Sequence, residues 1–446
     1  MAKKLEFYYD VVCPWAYVAS TRIDALAARQ GAEIVYKPVL LGGIYSDTKA
    51  PQGKAGSASD TMAAPKKRLH VIDLKRVLAR FGVPLSWHPA HPVRSLNAGR
   101  LLHALPPAAR GPATHLLYKA YWVDNLDISS PSVLIEALSP LNLPESVLLP
   151  SICTDVAHAA ALRNATAEAV ERGAPGVPCV WIGDDDGSGK GELFWGQDRL
   201  HFVEGALAGV AVQQPRFMPQ GPVGRVRKLE FWWDFSSPWS FLAFTQIPRI
   251  IDEVGPNVHI VHIPVLVGGL FRSIGTPIVP NASASPQKRA DNTKDLARWS
   301  RYWSALPYWS GKDAPTVEFR WPDVFPIRSV LPLRVVLVEP KTAACLFAAA
   351  WSSNINISDP ATLAQTLTSA GFPGADLVRC ANEEAPKLAL KANNDRALAA
   401  GLCGVPAFQV DGGAPVWGQD RLDVVLDLLH GWEDPASRFA TSGPRL

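Results

Sequence analysis

The sequence predicts an α/β protein built from two copies of one domain, and three observations indicate this. The segment Asp-Val-Val-Cys-Pro-Trp-Ala-Tyr at residues 10–17 is matched 224 residues later by Asp-Phe-Ser-Ser-Pro-Trp-Ser-Phe at 234–241. Both segments follow a short apolar run and precede a run with few helix breakers, which predicts a strand, a tight turn and a helix with proline in its first turn. The chain has 446 residues, a length that suits two domains better than one.

Three further landmarks recur in the same order in each half. Residues 35–43 and 261–269 predict a second strand that leaves its sheet at a proline and ends in a Gly-Gly loop. The other landmarks are Gly-Val-Pro at 176–178 and 404–406, and Trp-Gly-Gln-Asp-Arg-Leu at 195–200 and 417–422. The copies lie 222 to 228 residues apart, so insertions between the landmarks nearly cancel. A repeat of this length predicts a duplicated domain rather than a solenoid.

The predicted organisation is a first domain at 1–210, a linker at 211–227, a second domain at 228–432 and a loose tail at 433–446. The linker is rich in proline and glycine, and its sequence predicts a segment too polar and broken to pack. Between the second and third landmarks, helical spacing predicts an inserted helical bundle in each half. The predicted helices are Ile72–Phe81, Ser95–Leu105, Ala113–Val123, Val156–Arg172, Lys294–Tyr302, Leu331–Val338, Thr342–Trp351 and Ala385–Leu402. The acidic turn at 183–191 predicts a hairpin, because it lacks the ligand spacing of a calcium loop.

Composition excludes several classes of protein. A net charge of +3 without clustered Lys/Arg and aromatic residues argues against nucleic acid binding, and no apolar run is long enough for a membrane helix. The chain runs from Met1 straight into a strand, which predicts no signal peptide. Its six cysteines contain no Cys-x-x-Cys pair, which predicts a cytoplasmic protein with neither a disulfide framework nor a metal site. The ending Pro-Arg-Leu loosely resembles a peroxisomal signal, so that compartment stays open.

Cys13 and Ser237 stand directly before the prolines of the repeated turn, at the predicted start of a helix. Free N–H groups and the helix dipole there favour a nucleophile or a bound thiolate. The alternatives are a small buried residue for Cys13 and a helix cap for Ser237. Cys179, directly after Pro178, is a further candidate to approach Cys13.

The order of strand, turn, helix, strand, helical insertion, Val-Pro, hairpin and helix is that of two tandem thioredoxin-like (DsbA-like) domains, each with an inserted helical subdomain. Both halves resemble 2-hydroxychromene-2-carboxylate isomerases and kappa-class glutathione transferases. The matching motifs are Asp-x-x-Ser/Cys-Pro-Trp, Pro-Val-Leu-x-Gly-Gly, Gly-Val-Pro and Trp-Gly-Gln-Asp-Arg-Leu. The resemblance covers about residues 4–210 and 228–432, and it implies a fused pair that resembles a dimer, with further self-association open.

The resemblance implies glutathione as the cofactor. Ser237 matches a serine that donates a hydrogen bond to the glutathione sulfur, and Cys13 stands at the same position in the first half. The proline of Gly-Val-Pro is expected to be cis, so that the preceding valine pairs with the cysteinyl part of the tripeptide. The residues implied to bind glutathione are Val177, Pro178, Gln197, Asp198, Val405, Pro406, Gln419, Asp420, Lys66 and Lys288. The residues predicted at the substrate are Trp15, Trp239, Arg94 and Arg328.

Several of these residues have ordinary structural alternatives. Pro178 and Pro406 suit any turn, and Asp198 and Asp420 suit helix caps. Trp195 and Trp417 are predicted to lie in the core. The tryptophans of the second insertion suit either a core or an aromatic cleft, and Arg94 and Arg328 suit either a substrate carboxylate or an internal acid.

The leading hypothesis is a glutathione-dependent isomerase of a small conjugated or aromatic compound, of the cis-trans or ring-opening type. In it, the glutathione thiolate adds reversibly to an electron-poor double bond. The alternatives are a glutathione transferase, a monothiol oxidoreductase that uses Cys13, and a non-catalytic small-molecule or partner-binding scaffold.

Overall fold

Each half of the chain forms a four-stranded mixed sheet with helices around it, as the sequence predicts. The computed structural model describes residues 3–53, 57–144, 149–183 and 189–437. The first half contains β1 Lys4–Tyr9, α1 Pro14–Arg29, β2 Glu33–Pro38, α2 Leu41–Asp47, α3 Ala64–Phe81, α4 Leu96–Ala104, α5 Pro107–Trp122, α6 Pro131–Leu138, α7 Val156–Glu171, β3 Cys179–Gly183, β4 Gly191–Trp195 and α8 Leu200–Ala208. The second half contains β5 Arg227–Trp233, α9 Pro238–Thr245, α10 Ile247–Val254, β6 Val258–Pro264, α11 Val267–Ile274, α12 Pro286–Ala305, α13 Val330–Val338, α14 Ala343–Trp351, α15 Pro360–Ser369, α16 Gly374–Cys380, α17 Glu384–Ala399, β7 Ala407–Val410, β8 Val416–Trp417 and α18 Leu422–Leu429.

The two sheets share one topology, with strand orders β2-β1-β3-β4 and β6-β5-β7-β8. We call the first strand of each half, β1 or β5, its central strand. It runs parallel to the second strand of its half and antiparallel to the third. The central strands are apolar, and Leu5, Phe7, Leu229 and Phe231 are fully buried. Each repeated turn begins where a central strand ends, so the sheet core fixes the positions of Cys13 and Ser237.

The predicted Gly-Gly loops are instead the first turns of α2 and α11. A distant carboxylate stabilises each start, because Asp10 accepts the Leu41 N–H at 2.9 Å and Asp234 accepts the Val267 N–H at 2.8 Å. An acceptor at the first turn satisfies a donor that the helix itself leaves unpaired. No local sequence signal announces this cap, since the acid lies more than 30 residues away.

The chain forms two compact units, each built mostly from one half of the sequence, with two short segments exchanged. Unit 1 comprises Met1–Thr61, Val77–Gln213 and Ala284–Asn292, and unit 2 comprises Met62–Arg76, Gln214–Ser283 and Thr293–Leu446. Each unit therefore contains a short segment from the other half of the sequence, taken from the start of α3 or α12. The repeat pattern gave no sign of this exchange.

The linker and the start of the tail are packed, which corrects two predictions. Arg216 is buried in unit 2 between Asp427 and Glu253, at 2.8 and 2.6 Å. In the tail, Asp434 pairs with the buried Arg76 at 2.6 Å, and Ala436 is fully buried. Buried ion pairs hold both segments, and a count of prolines and glycines does not reveal such pairs. Residues 438–446 lie outside the described part of the chain.

Two further findings concern the helices. The run from Leu242 to Val254 is divided at Gln246 into α9 and α10, and Pro248 stands in the first turn of α10. Among the described residues, no helix combines the length and the apolar character that crossing a membrane requires.

Candidate active site

Cys13 and Ser237 occupy equivalent places at the start of α1 and α9. Each has an extended backbone and stands directly before the first helical residue. The Cys13 thiol donates to the carbonyl oxygen of Val177 at 3.5 Å, and the Ser237 hydroxyl donates to that of Val405 at 3.1 Å. The turn of each half thus meets the backbone of its Gly-Val-Pro motif, a contact that the sequence did not predict.

Both side chains are nearly buried, with exposed fractions of 5% for Cys13 and 8% for Ser237. Half-buried neighbours flank each of the two side chains, among them Trp15 and Trp239. Trp15 and Trp239, which were predicted to lie at the substrate, stand two residues after Cys13 and Ser237 and are partly exposed.

Ser237 caps its helix and also has a proton to donate. Its Oγ accepts the Ser240 N–H at 3.2 Å while its own proton goes to Val405. A hydroxyl held in this way can turn its proton from the carbonyl to a ligand sulfur and keep the cap. The two sequence interpretations of Ser237, cap and ligand donor, are therefore compatible.

Cys13 is a neutral thiol in this environment. Burial raises its pKa to about 12, and the N–H groups of Ala16 and Trp15 oppose that effect only in part. Desolvation disfavours a charged form. Cys13 thus resembles Ser237 as a hydrogen-bond donor, and the thiolate that helix-dipole reasoning suggested is not favoured here.

A buried carboxylate organises each turn. Asp10 accepts the Val12 N–H at 3.3 Å, and Asp234 accepts the Ser236 N–H at 3.0 Å, in addition to the helix caps described above. Asp234 is fully buried, and this burial raises its pKa to about 6. The acid therefore changes charge near neutral pH while it holds the turn that carries Ser237.

We expect this titration to appear in stability. The folded pKa of Asp234 lies above its ordinary value, so its contribution is fully present below about pH 4 and is lost as the pH rises through about 6. Relative to Asp234→Asn, the wild-type protein should lose on the order of 1–3 kcal/mol between pH 4 and pH 7. Urea unfolding of both proteins at the two pH values measures the difference, and other titrating groups cancel in it. An equal gap at both pH values would contradict the titration.

The Val177–Pro178 and Val405–Pro406 peptide bonds are both cis, as expected. The structure contains two further cis bonds, His91–Pro92 and Phe325–Pro326, which the sequence reasoning did not anticipate. These prolines begin the repeated segments that contain Arg94 and Arg328.

Two tryptophans that the sequence analysis missed also hold the turns. The Trp122 indole donates to the Val11 carbonyl at 2.9 Å, and the Trp351 indole donates to the Phe235 carbonyl at 2.8 Å. A signal for them exists, because Trp-x-x-Asn-x-x-Ile-Ser occurs at 122–129 and again 229 residues later at 351–358. This fifth landmark lies inside the helical insertion, where the variable sequence around it hid the match.

The Trp-Gly-Gln-Asp-Arg motif folds into a short 3-10 turn before the last helix of each half. Gly196 and Gly418 both have φ of 110°, and a Cβ on either glycine would collide with the aspartate two residues later. Asp198 pairs with Arg199 at 2.8 Å, and Asp420 pairs with Arg421 at 3.0 Å. The glycine therefore lets the carboxylate fold back over the turn.

Gln197 and Gln419 point into the protein interior. They are 4% and 1% exposed, and Oε1 of Gln419 accepts the Trp303 indole N–H at 2.7 Å. The Gln197 side chain pairs with Arg22. Only the backbone of these residues is therefore available to a ligand at the helix start.

Lys66 and Lys288 lie in the exchanged segments. In unit 2 the Lys66 ammonium is 5.6 Å from the centre of the Trp417 ring, and in unit 1 the Lys288 ammonium is 3.5 Å from that of Trp195. Each lysine therefore accompanies the Trp-Gly-Gln-Asp-Arg motif of the other half. Trp417 is 39% exposed and Trp195 is half-buried, which corrects the prediction that both lie in the core.

An exposed aromatic ring and an arginine lie in the segment around the other cis-proline of each half, Pro92 or Pro326. Trp87 and Trp321 are 50% and 43% exposed, and their rings contact Trp122 and Trp351 edge-on, with centroids 5.4 and 5.9 Å apart. Arg94 and Arg328 are exposed. Within the described residues neither guanidinium forms an ion pair.

A cavity of about 150 Å³ adjoins this segment in unit 2. Its lining comprises Pro322, Asp323, Val324, Ile327, Asn354, Ile355, Asn356 and Ile357.

The remaining candidates are structural. Trp299 and Trp303 are buried, so the core interpretation is the correct one for them.

All six cysteines are free thiols, and Cys179 donates to the Gly176 carbonyl at 3.0 Å. Among the described residues, no group of three or more His, Cys, Asp or Glu side chains is arranged to hold a metal ion.

Comparison with known proteins places the fold. The profile of the DSBA-like thioredoxin domain matches residues 4–208 and 228–430. A 2-hydroxychromene-2-carboxylate isomerase of Sphingobium xenophagum is 27% identical over 207 residues, which is 46% of this chain and 99% of that protein. One from Pseudomonas sp. (strain C18) is 28% identical over 210 residues, 47% of this chain and 92% of that protein.

Among solved structures, a 2-hydroxychromene-2-carboxylate isomerase matches with a TM-score of 0.39 and 23% identity, covering 46% of this chain and 95% of that one. The two isomerases compared by sequence each correspond to about half of this chain, in line with a tandem fusion, and these relatives indicate an enzyme. With two matched segments that span nearly the whole sequence, the chain belongs to the DSBA-like thioredoxin domain family.

Proposed function

We propose that this protein is a glutathione-dependent isomerase of a small conjugated aromatic compound. The thiolate of glutathione forms a carbon–sulfur bond to an electron-poor double bond, and the electron pair of that bond moves onto a conjugated oxygen. The former double bond rotates as a single bond. Return of the electron pair then breaks the carbon–sulfur bond, releasing the isomer and unchanged glutathione.

The observation that supports this most is the donor at each helix start. Ser237 and Cys13 have the same position and both present a proton beside the backbone of a Val-Pro motif. A thiolate there would receive one hydrogen bond from the side chain and would lie at the positive end of a helix. Both effects favour the charged form of the ligand sulfur.

Other groups suit the rest of the tripeptide. The valine backbone offers strand-like pairing to the cysteinyl unit, and Asp198 or Asp420 offers a carboxylate to the glutamyl ammonium. Lys66 and Lys288 offer positive charge to a carboxylate from the exchanged segments. Because each lysine is supplied by the other half, each glutathione site would depend on the whole chain.

The substrate side favours a flat ring with an acid. Trp87 or Trp321 provides an exposed aromatic face, and Arg94 or Arg328 provides a guanidinium without a protein partner among the described residues. Carboxylate is the group that such an arginine binds best. The isomerases that are similar to about half of this chain are named for a carboxylate.

The enzymatic alternatives differ in what happens to glutathione. A transferase would retain the new carbon–sulfur bond, and an oxidoreductase would form a mixed disulfide on Cys13. The raised pKa of Cys13 disfavours the latter, because the thiolate is the reactive species. A scaffold would bind a small molecule or a partner without turnover.

Calorimetric titration with glutathione tests the proposal directly, with S-methylglutathione as the matched ligand that cannot ionise at sulfur. We expect both to bind and only glutathione to give the ultraviolet absorbance of a thiolate at neutral pH. With a conjugated aromatic carboxylate as substrate, the free glutathione concentration should stay constant during turnover. Steady consumption of glutathione would indicate a transferase, and absence of binding would leave only the scaffold.

A further inference from the structure

His91 belongs to a surface beside the first active turn, which we call the first shelf and define as Trp87, His88, His91 and Arg94. The Tyr17 hydroxyl, one helical turn after Cys13, donates to the carbonyl of Pro84 at 3.0 Å and so holds the start of this segment. The His91 ring lies 4.9 Å from the Trp87 ring and 5.2 Å from the Trp122 ring. Trp122 in turn binds the active turn through Val11, so the first shelf and the turn share one support.

The position of the His91 proton follows from its neighbours. Nδ1 of His91 lies 2.7 Å from the Tyr121 hydroxyl, and the Val93 N–H donates to the same hydroxyl at 3.4 Å. Tyr121 is fully buried, so its proton needs an acceptor, and Nδ1 is the one beside it. Tyr121 keeps that proton, because burial raises its pKa to about 12.

The imidazole proton of His91 therefore resides on Nε2. Burial, with the nearby charge of His88, lowers the pKa of His91 to about 4, so the ring is neutral at pH 7. Among the described residues, Nε2 has no hydrogen-bond partner. Nε2–H is thus a fixed, neutral donor between two tryptophan rings, on a half-buried side chain.

The second half has no such donor. Phe325 replaces His91 before the equivalent cis-proline, and Ala350 replaces Tyr121 before the equivalent tryptophan. The Phe325 ring lies 4.9 Å from Trp321 and 6.2 Å from Trp351, in the same aromatic surroundings. The two halves thus have a similar arrangement of aromatic rings around this cis-proline. They differ there by one polar group, the imidazole of His91.

We propose that His91 is a specificity-determining residue, whose Nε2–H donates to a carbonyl or phenolic oxygen of an aromatic ligand seated on the first shelf. The second half, with Phe325 in that place, takes a ring without this oxygen. The inference deepens the proposed function and rests on it for the reactive step. Charge develops on a conjugated oxygen when a thiolate adds, and a fixed neutral donor stabilises that charge.

The binding part can be tested without glutathione. Acetophenone and ethylbenzene have the same ring and nearly the same size, and only the first has an oxygen acceptor. Nitrogen-15 NMR of labelled histidine reports the tautomer, with the His91 signal assigned by its loss in His91→Phe. We expect a protonated Nε2 that shifts with acetophenone and stays unchanged with ethylbenzene.

The matched variants exchange the residues of the two halves. His91→Phe should weaken acetophenone binding about tenfold, the value of one lost hydrogen bond of roughly 1.4 kcal/mol, and leave ethylbenzene binding unchanged. Phe325→His should add a second acetophenone site. A protonated Nδ1, or equal acetophenone affinity in His91→Phe with native circular dichroism, would overturn the inference. If acetophenone selectivity holds while glutathione fails to bind, the inference stands and the proposed function fails.

Discussion

In a Cys13→Ala background, which removes the donor of the first half, replacing Ser237 with alanine is expected to lower kcat/KM for the glutathione-dependent reaction about 100-fold, the usual effect of removing one donor to a developing or bound anion. The hydroxyl that now points to the Val405 carbonyl would be the donor to the ligand sulfur. Without it, the bound thiol ionises at higher pH. The loss should therefore shrink as the pH rises toward the pKa of free glutathione, and the pH profile of kcat/KM measures that change.

The chain supplies the control for this variant. Ser237→Cys places the residue of the first half in the second and retains a donor. Its kcat/KM should therefore be at least about tenfold higher than that of Ser237→Ala. The alanine variant also loses the hydrogen bond in which Ser237 Oγ accepts the Ser240 N–H. That helix cap stabilises the wild-type protein by roughly 1 kcal/mol. Thermal unfolding separates that effect from the catalytic one. Within the Cys13→Ala background, equal activity with and without Ser237→Ala across the pH range would rule out the proposed role of the hydroxyl.

The sequence was most informative where a function depends on neighbours in the chain. The turn at 10–17 and its copy at 234–241 predicted the two helix starts, and the family resemblance of these motifs implied the cis bonds and the donors. The structure then adds that the carbonyl of Val177 or Val405 receives the donor proton. That contact joins residues more than 160 positions apart, and it was not predicted from the sequence.

What the sequence did not predict depends on pairing across long stretches without a repeated motif. The carboxylates of Asp10 and Asp234 start helices at Leu41 and Val267, so segments with paired glycines fold as helices. Trp122 and Trp351 hold the turns from the ends of helices in the variable insertion. The exchange of the segments with Lys66 and Lys288 is a property of packing, and each lysine by itself is an ordinary helical residue.

Arg216→Ala is expected to give the largest loss of stability. The Arg216 guanidinium bridges two carboxylates in unit 2, at 2.8 Å from Asp427 and 2.6 Å from Glu253, whose side chains are 0% and 5% exposed. Asp427 also accepts N–H groups of Phe217 and Met218 at 3.1 and 3.2 Å. Without the arginine, two buried carboxylates lose the ion-pair partner that they share, a loss of about 3–5 kcal/mol. Calorimetry should show the transition of unit 2 lowered by roughly 10 °C, given 2–4 °C per kcal/mol for a unit of this size.

The exposed Arg225 of the same segment is the matched control, and its replacement by alanine should change stability by less than about 0.5 kcal/mol. A second comparison separates buried charge from lost packing. Adding Glu253→Gln to Arg216→Ala removes one of the two stranded charges, so part of the stability should return, because the cost arises from desolvated carboxylates rather than from a missing side chain. If Arg216→Ala and Arg225→Ala behaved alike, residues 214–227 would act as the unpacked linker that their composition suggests. A clear difference between the two would instead show that this segment belongs to the folded core of unit 2.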